Sequence, residues 1–240
     1  MRRHLPVLLV LLLGACFPES PPADNTGAEP EDTLPAPPFS LETLPPDSLA
    51  PERPAATQPA RPAQRTDTIS IEGMPQEERL TLVRSPAEFI PPFSTYVPAG
   101  MRAEFMPGDS TPSVRFVAAF AGRVNPEAYL QVRVYPRGAA ELVVRQAADA
   151  YLRGRDPRQD NVRESERWPW AIDGYDFSYG GQEGTAYFVG TMAIARHGNR
   201  YLHVLAHYPG EYGDGMGPRV ERILREWRWE DDGAMLTAER

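Results

Sequence analysis

The histidines of this chain are the first residues to test for metal or acid–base chemistry. His203 and His207 lie in residues 201–209, where apolar and polar side chains alternate in the manner of a β-strand. At about 3.3 Å per residue their positions are roughly 13 Å apart, too far to share a zinc ion. His197 falls in a predicted turn, where we expect it to be solvated. The sequence therefore predicts core or surface histidines and no metal site.

Three carboxylates lie close together in the sequence around one aromatic-rich segment. Asp173 and Asp176 flank Gly174, and Glu183 follows in a glycine-rich stretch. A calcium ion takes about six to eight oxygen ligands in a tight loop, which is more than this segment offers. We expect these acids to be solvated loop residues.

Motifs for nucleophilic or nucleotide chemistry are absent from the sequence. It contains no nucleophile elbow, no P-loop and no dinucleotide glycine fingerprint, and residues 180–184 have the composition of a turn. We therefore predict a protein that is not an enzyme and needs no cofactor. A hydrolase whose site is assembled from scattered residues is a third and weaker hypothesis.

Aromatic side chains form the strongest candidate for a contact surface. In regular strand geometry alternate residues share one face, and aromatic rings with polar tips are enriched at binding patches. For Tyr175, Phe177 and Tyr179 the competing interpretation is burial beneath the helices as ordinary core. The two tryptophans flank Pro169 beside a charged loop, and we expect them to be exposed. The candidate partner-binding residues are Trp168, Trp170, Tyr175, Phe177 and Tyr179.

The N-terminal segment ends at Cys16, the one cysteine of the 240 residues. Arg2 and Arg3 precede an apolar run over residues 5–13 that is too short for a membrane span, which needs about 20 apolar residues. A charged start, a short apolar run and small residues describe a secretory signal peptide. A single cysteine excludes an intramolecular disulfide, even in an oxidising compartment.

The sequence Leu13-Gly14-Ala15-Cys16 resembles the bacterial lipobox, in which the cysteine sulfur receives a diacylglycerol group before cleavage. The resemblance implies that residues 1–15 are a lipoprotein signal peptide and that Cys16 becomes an acylated, palmitate-bearing first residue. In enteric bacteria an Asp after the cysteine retains lipoproteins at the inner membrane. Because Phe17 stands there, we expect a lipid-anchored protein of the cell envelope, at the outer membrane and facing the periplasm.

Residues 16–66 are expected to form a disordered linker. They are rich in proline, of which the chain has 27, and proline favours extended coil over helix or sheet. The half nearest Cys16 is acidic, and the whole chain carries a net charge of -8. We therefore expect no nucleic-acid partner.

Residues 67–230 have the pattern of one α+β domain, followed by a frayed tail over residues 231–240. Alternating segments predict an opening strand pair around residues 69–82, and further strands over 93–98, 101–106, 114–120, 129–135, 168–179, 185–196 and 200–208. Whether the opening pair belongs to the core sheet is left open. Residues 154–166 are expected to be a loop.

Two helices are predicted to cover the sheet. The first spans residues 138–153 and the second spans residues 213–227. The expected apolar stripe of the first is Leu142, Val143, Gln146, Ala147, Ala150 and Tyr151, and that of the second is Met216, Val220, Ile223, Leu224 and Trp227.

This order of elements resembles the PsbP-like fold, named for an extrinsic photosystem II subunit and shared by small bacterial lipoproteins of the DcrB-like kind. The resemblance covers residues 93–229 and rests on Tyr96-Val97-Pro98, Ala150-Tyr151-Leu152, the strand at 201–209 and the aromatic end of the last helix. It implies an antiparallel sheet packed against two main helices, an α/β/α sandwich. It also implies a binding or assembly module.

These observations predict a membrane-anchored envelope lipoprotein that acts as a non-catalytic binding or assembly module. Its expected partners are the lipid membrane, through acylated Cys16, and an unidentified envelope protein. The alternative is a periplasmic module that binds a small molecule or lipid in a hydrophobic pocket.

Overall fold

The computed structural model describes residues 60–106, 108, 111–156, 160–182 and 185–238. The predicted signal peptide, Cys16 and most of the linker lie outside the described residues, as does Glu183. No helix within the described ranges is long and apolar enough to cross a membrane.

A seven-stranded antiparallel sheet forms the centre of the described chain. Alternation of side chains along its strands creates the two faces on which the helices lie. Its spatial order is β4 (Met101–Met106), β5 (Ser113–Phe120), β6 (Arg123–Val134), β10 (Arg200–Pro209), β9 (Tyr187–His197), β8 (Asp173–Gly180) and β7 (Val162–Glu164). The short edge strand β7 occupies a segment that the sequence predicted as a loop.

A second sheet contains the opening strands. Its order is β1 (Gln64–Ile71), β2 (Met74–Arg84), β3 (Phe93–Pro98) and β11 (Arg228–Trp229). The predicted opening pair is confirmed, with Ile71 opposite Met74 across a tight turn. The question left open for the opening pair is thereby answered: β1 and β2 pair with β3 and not with the seven-stranded sheet, so the strands form two sheets and not the one that the resemblance implied.

Helix α2 (Gly213–Arg225) contributes to the larger hydrophobic core. That core also contains one face of the seven-stranded sheet, including Leu130, Val132, Leu202 and Val204. Trp227 stacks on Phe93 there, with ring centroids 3.8 Å apart. All the residues predicted for the apolar stripe of this helix are buried: Met216, Val220, Ile223, Leu224 and Trp227.

Helix α1 (Glu141–Arg155) lies on the opposite face of that sheet, but it does not bury the predicted stripe. Its buried residues are Val144, Ala148 and Leu152, spaced four apart, and they form one cluster with β8, β9 and β10. Leu142 and Val143 are exposed, with 64% and 54% of their surface accessible. Both stripes have helical spacing, so the periodicity alone does not choose between them.

The domain begins earlier than the sequence predicted, because residues before Thr66 already bind it. The guanidinium of Arg61 donates to the carbonyl and hydroxyl oxygens of Ser94 at 3.2 and 2.8 Å, and to the carbonyl of Glu226 at 2.9 Å. It also lies over the ring of Tyr96, whose hydroxyl donates to the carbonyl of Pro62. We call this set of contacts the Arg61 clamp.

The expectation of a frayed tail is wrong for residues 231–238. The backbone N–H of Trp229 donates to the carbonyl of Ala234, and that of Leu236 donates to the carbonyl of Trp227. Leu236 is buried in the larger core. These contacts fold the segment that contains Leu236 back against β11.

Candidate functional site

The predicted exposed pair, Trp168 and Trp170, is buried. Their accessible fractions are 4% and 8%, and their rings stack with centroids 5.7 Å apart in the larger core. The indole N–H of Trp168 donates to Glu221 at 3.0 Å. The expectation that these two residues form a contact surface is wrong, because both rings fill core volume.

The aromatic residues of β8 lie on the α1 face of the sheet. Phe177 is buried, whereas Tyr175 and Tyr179 are half-buried. Phe177 packs in the cluster that contains Val144 and Leu152 of α1. Burial beneath a helix, the competing interpretation, is therefore correct for Phe177.

His203 and His207 are both buried and both fully engaged by protein groups. Carbonyl oxygens only accept, so the ring N–H of His203 donates to Val144 and that of His207 donates to Glu127, at 2.9 and 2.8 Å. The other ring nitrogens receive the hydroxyls of Tyr135 and Tyr179. Of the core and surface positions that the sequence left open, both histidines occupy the core one.

Burial controls the ionisation of these two rings. It lowers the pKa of His203 to about 4, and it also lowers the pKa of His207, because a charged imidazolium loses its hydration inside the sheet. Both rings are therefore neutral near pH 7. They form rigid hydrogen-bonded links between the sheet and its covering segments.

The carboxylates Asp173 and Asp176 do not converge. Asp173 pairs with Arg145 of α1, and Asp176 accepts a hydrogen bond from Thr191 at 2.6 Å. Three residues apart on a strand, they project to opposite faces. The structure therefore provides no calcium site from this pair.

A concave cavity of about 480 Å³ at the N-terminal end of α2 is a candidate site, because several carboxylates line it. We call it the acidic pocket. Five segments meet there: the β1–β2 turn, β2, the β3–β4 turn, the β5–β6 turn and the start of α2 with the residues just before it. Its carboxylates are Glu72, Glu78, Glu211 and Asp214.

Glu78 is the most constrained of these carboxylates. Only 10% of its side chain is exposed, and one oxygen accepts from the Nε of Arg219 at 3.0 Å. Its second oxygen is buried and has no hydrogen-bond partner among the described residues. An unsatisfied buried acceptor costs about 1–3 kcal/mol, and more when charged, so a bound donor would recover free energy here.

Aromatic rings complete the walls of the acidic pocket. Phe120 and Tyr212 stack with centroids 5.7 Å apart, and the guanidinium of Arg219 lies 4.8 Å from the centre of the Phe120 ring. Gly100 leaves room for this arrangement, since a Cβ there would lie 2.9 Å from a ring carbon of Phe120. A cation held between a carboxylate and a ring is thus already part of the pocket.

Backbone strain is concentrated at the same place. Among the described residues, the non-glycine residues with positive φ are Glu72 at 53° and Ala121 at 49°, and both line the acidic pocket. Each occupies the first central position of a two-residue hairpin turn, followed by Gly73 or Gly122. Left-handed non-glycine residues cost about 1–3 kcal/mol and cluster at functional sites.

Sequence reasoning missed this pocket. The Glu72-Gly73 and Ala121-Gly122 pairs are turn signals, but they are far apart along the chain. Only the topology brings both turns beside the start of α2. Chemically, the pocket offers carboxylates and ring faces, which together bind positively charged donors.

The expectation that His197 is solvated is also wrong. Its side chain is 10% exposed, and its ring stacks on Trp229 with centroids 4.4 Å apart. Its Nε2 atom lies 3.2 Å from a carboxylate oxygen of Asp231, 34 positions later in the sequence.

No family model and no curated protein matches this chain. Solved structures do match. A protein from Bacteroides thetaiotaomicron aligns over 64% of this chain and 49% of its own, with 17% identity and a TM-score of 0.37. The chain therefore spans about half the length of that protein.

A second solved structure is the cyanobacterial PsbP protein, CyanoP, from Synechocystis. It aligns over 62% of this chain and 92% of its own, with 9% identity and a TM-score of 0.36. It bears the family name that the sequence resemblance suggested.

Proposed function

We propose that this protein is a lipid-anchored, non-catalytic module of the bacterial envelope, with a PsbP-like domain. Its acidic pocket receives a positively charged group, the Arg or Lys side chain of an envelope partner. The observation that carries this proposal is Glu78, a nine-tenths buried carboxylate with an unpartnered oxygen in the wall of the cavity.

Charge and geometry both favour a cationic occupant. The pocket holds four carboxylates and one guanidinium, and no ion-pair partner for Glu72, Glu211 or Asp214 lies among the residues described. Stacking on Tyr212 would add a cation–π contribution of about 0.5–1 kcal/mol or more. Arg219, held between Glu78 and Phe120, provides an internal example of this mode.

The anchor is supported by the lipobox-like sequence ending at Cys16. Two or more acyl chains give stable attachment where one is marginal. Cells fed a palmitate analogue should label the wild-type protein and leave the Cys16→Ala protein unlabelled and detached from membranes. Equal labelling of both proteins would exclude acylation at Cys16.

The pocket is tested by removing charge without changing shape. Glu211→Gln with Asp214→Asn neutralises its rim, and Glu88→Gln with Glu166→Gln removes the same charge from exposed sites elsewhere. Crosslinked envelope fractions should contain one protein captured by the wild type and the control double variant, and lost from the rim variant. Equal capture by all three proteins would contradict the proposal.

A direct titration separates a protein partner from a free amine. Arginine methyl ester added to the purified protein should perturb the signals of Tyr212 and Phe120 in the wild type and not in the rim variant. An ester that binds both equally would place the cation elsewhere.

A second candidate function is the binding of a small hydrophobic ligand beneath α1. A cavity of about 280 Å³ lies there, lined in part by Ala148, Leu152, Val162 and Tyr175. Mass spectrometry of lipids extracted from the purified protein tests this candidate. A Leu152→Trp variant, which fills the cavity, should then lose the co-purifying species.

A further inference from the structure

The β9–β10 turn and the turn after β11 bring together one imidazole and two carboxylates. The Nε2 atom of His197 lies 3.2 and 3.3 Å from the two oxygens of Asp231, and 3.9 Å from an oxygen of Asp232. One ligand atom from each of the three residues lies within 4.8 Å of the others. Nothing in the proposed function uses this cluster.

We propose that His197, Asp231 and Asp232 bind a divalent transition-metal ion of the Zn²⁺ type. Zinc binds imidazole nitrogen and carboxylate oxygen at about 2.0–2.2 Å. Tetrahedral ligands at that distance lie about 3.4 Å from one another. The distances from His197 Nε2 to Asp231 and Asp232, 3.2 and 3.9 Å, lie on either side of this value, and rotation of the two exposed carboxylates brings all three ligands to one ion.

The histidine ring is held in place before any ion arrives. It stacks on Trp229 at an interplanar angle of 16°, and Trp229 is itself 1% exposed. A fixed ring keeps its Nε2 atom directed at the two carboxylates. Ligand orientation by surrounding residues is a regular feature of metal sites.

The turn that carries the carboxylates is also well defined. Gly233 donates its N–H to the carbonyl of Trp229 at 3.0 Å, and Ala234 donates its N–H to one oxygen of Asp232 at 2.8 Å. The second oxygen of Asp232 is the one that faces His197. One oxygen of Asp232 thus supports the turn while the other is directed to the site.

The chemistry of the ligands selects the ion. Calcium and magnesium prefer all-oxygen environments, whereas imidazole nitrogen suits zinc and its neighbours in the first transition row. Two carboxylates and a neutral imidazole carry two negative charges, which balance a dication. Three protein ligands leave the fourth tetrahedral position to water.

The test is a zinc titration of the full chain, with competition against a fluorescent chelator. The wild type should bind one zinc ion per chain, and Asp232→Asn should weaken binding by about tenfold or more. This variant keeps an oxygen for the N–H of Ala234, so the turn should stay folded. His197→Gln should weaken binding by at least as much.

Glu230→Gln is the matched control, because Glu230 is adjacent in the sequence but pairs with Arg84. It should bind zinc as the wild type does. Circular dichroism and urea unfolding confirm that each variant is folded. Calcium at a hundredfold excess should leave the bound zinc in place.

Three outcomes would overturn the proposal. They are a wild type that takes up no stoichiometric zinc, a folded Asp232→Asn protein that binds zinc with unchanged affinity, and displacement of zinc by calcium. Zinc bound through His4 or another residue would appear as unchanged binding in both ligand variants.

Discussion

The two faces of the seven-stranded sheet use the same strands for different purposes. Along β10, Leu202, Val204 and Ala206 belong to the larger core beside α2, whereas His203 and His207 face α1. The α2 face buries mostly apolar side chains, with Thr191 of β9 as a buried polar exception, and the other face carries imidazole rings tied to tyrosine hydroxyls. Substitutions that leave a cavity should therefore lower the free energy of unfolding most on the α2 face. The pH dependence of that free energy should come mainly from the α1 face.

The largest expected effect is on the α2 face. Trp227→Ala removes a fully buried ring that stacks on Phe93 and meets Phe116 and Trp229 edge-on. The cavity should lower the free energy of unfolding by about 3–5 kcal/mol. Urea denaturation followed by far-UV circular dichroism measures it.

The matched substitution on α1 is Leu142→Ala, because Leu142 was predicted to be buried and is 64% exposed. Its effect should stay within about 0.5 kcal/mol. A large loss of unfolding free energy in Leu142→Ala would show that α1 buries the apolar stripe predicted from the sequence.

The second prediction concerns pH and the α1 face. The pKa of His203 is about 4 in the folded protein and 6.5 as its ordinary value, so the unfolded chain binds the proton first as the pH falls. Stability is complete above pH 6.5 and is lost between pH 6.5 and about 4, by about 3 kcal/mol in total. His207 contributes in the same direction.

His203→Gln should flatten this profile, because glutamine keeps a donor for Val144 and does not titrate. The measurement is the urea midpoint at pH 7.5 and pH 4.5 in the wild type and the variant. If the variant loses as much stability as the wild type on acidification, His203 is not the origin of the pH dependence.

The third prediction tests how tightly the α1 face is packed. Phe177, Gly190 and His207 lie side by side across three strands, and the Phe177 ring reaches over β9 to stack with His207. A Cβ at Gly190 would lie 2.3 Å from the Phe177 ring and 2.4 Å from the carbonyl oxygen of Ala206. Gly190→Ala should cost about 1–3 kcal/mol in thermal or urea unfolding.

Gly154→Ala is the control within α1, since nothing lies within 4 Å of its Cβ position. It should stabilise the protein by about 0.4–1 kcal/mol, because alanine reduces the freedom of the unfolded chain. If Gly154→Ala destabilised the protein and Gly190→Ala did not, tight packing around Gly190 would be contradicted.

The smallest expected effect is a difference in coupling energy between an ion pair on α1 and an ion pair on α2. Arg153 and Asp149 form an exposed pair on α1, whose coupling in a double-mutant cycle should be about 0.3–0.5 kcal/mol. Arg222 of α2 bonds Asp67 at 2.7 Å with its side chain 14% exposed. That pair should couple more strongly, at up to about 1 kcal/mol, and an equal coupling would count against the difference.

Sequence patterns predicted the strands and the buried face of α2 because those residues repeat with the period of their element. They failed for α1, where Leu142 and Val144 lie on competing stripes that only the sheet distinguishes. They failed for Trp168 and Trp170 because a charged neighbourhood in sequence is not a solvated neighbourhood in space. Local composition sets what an element can bury, and its neighbours decide what it does bury.

The acidic pocket and the His197 cluster were beyond sequence reasoning for one reason. Glu72 and Glu211, like His197 and Asp231, are separated by many residues and meet only after two sheets have formed. The two hairpin turns were signals of local structure, but no local pattern states which turns become neighbours.

The Arg61 clamp gives the domain a mechanical property. A force applied to the chain before Arg61 reaches the hydrogen bonds to Ser94 and Glu226 before it reaches β1. Behind them, a pull along the direction of β1 shears all eight of its residues against β2 together, so the bonds share the load. Tension applied from the N-terminal side is therefore distributed over the β1–β2 ladder and the end of α2, and no single hydrogen bond carries all of it.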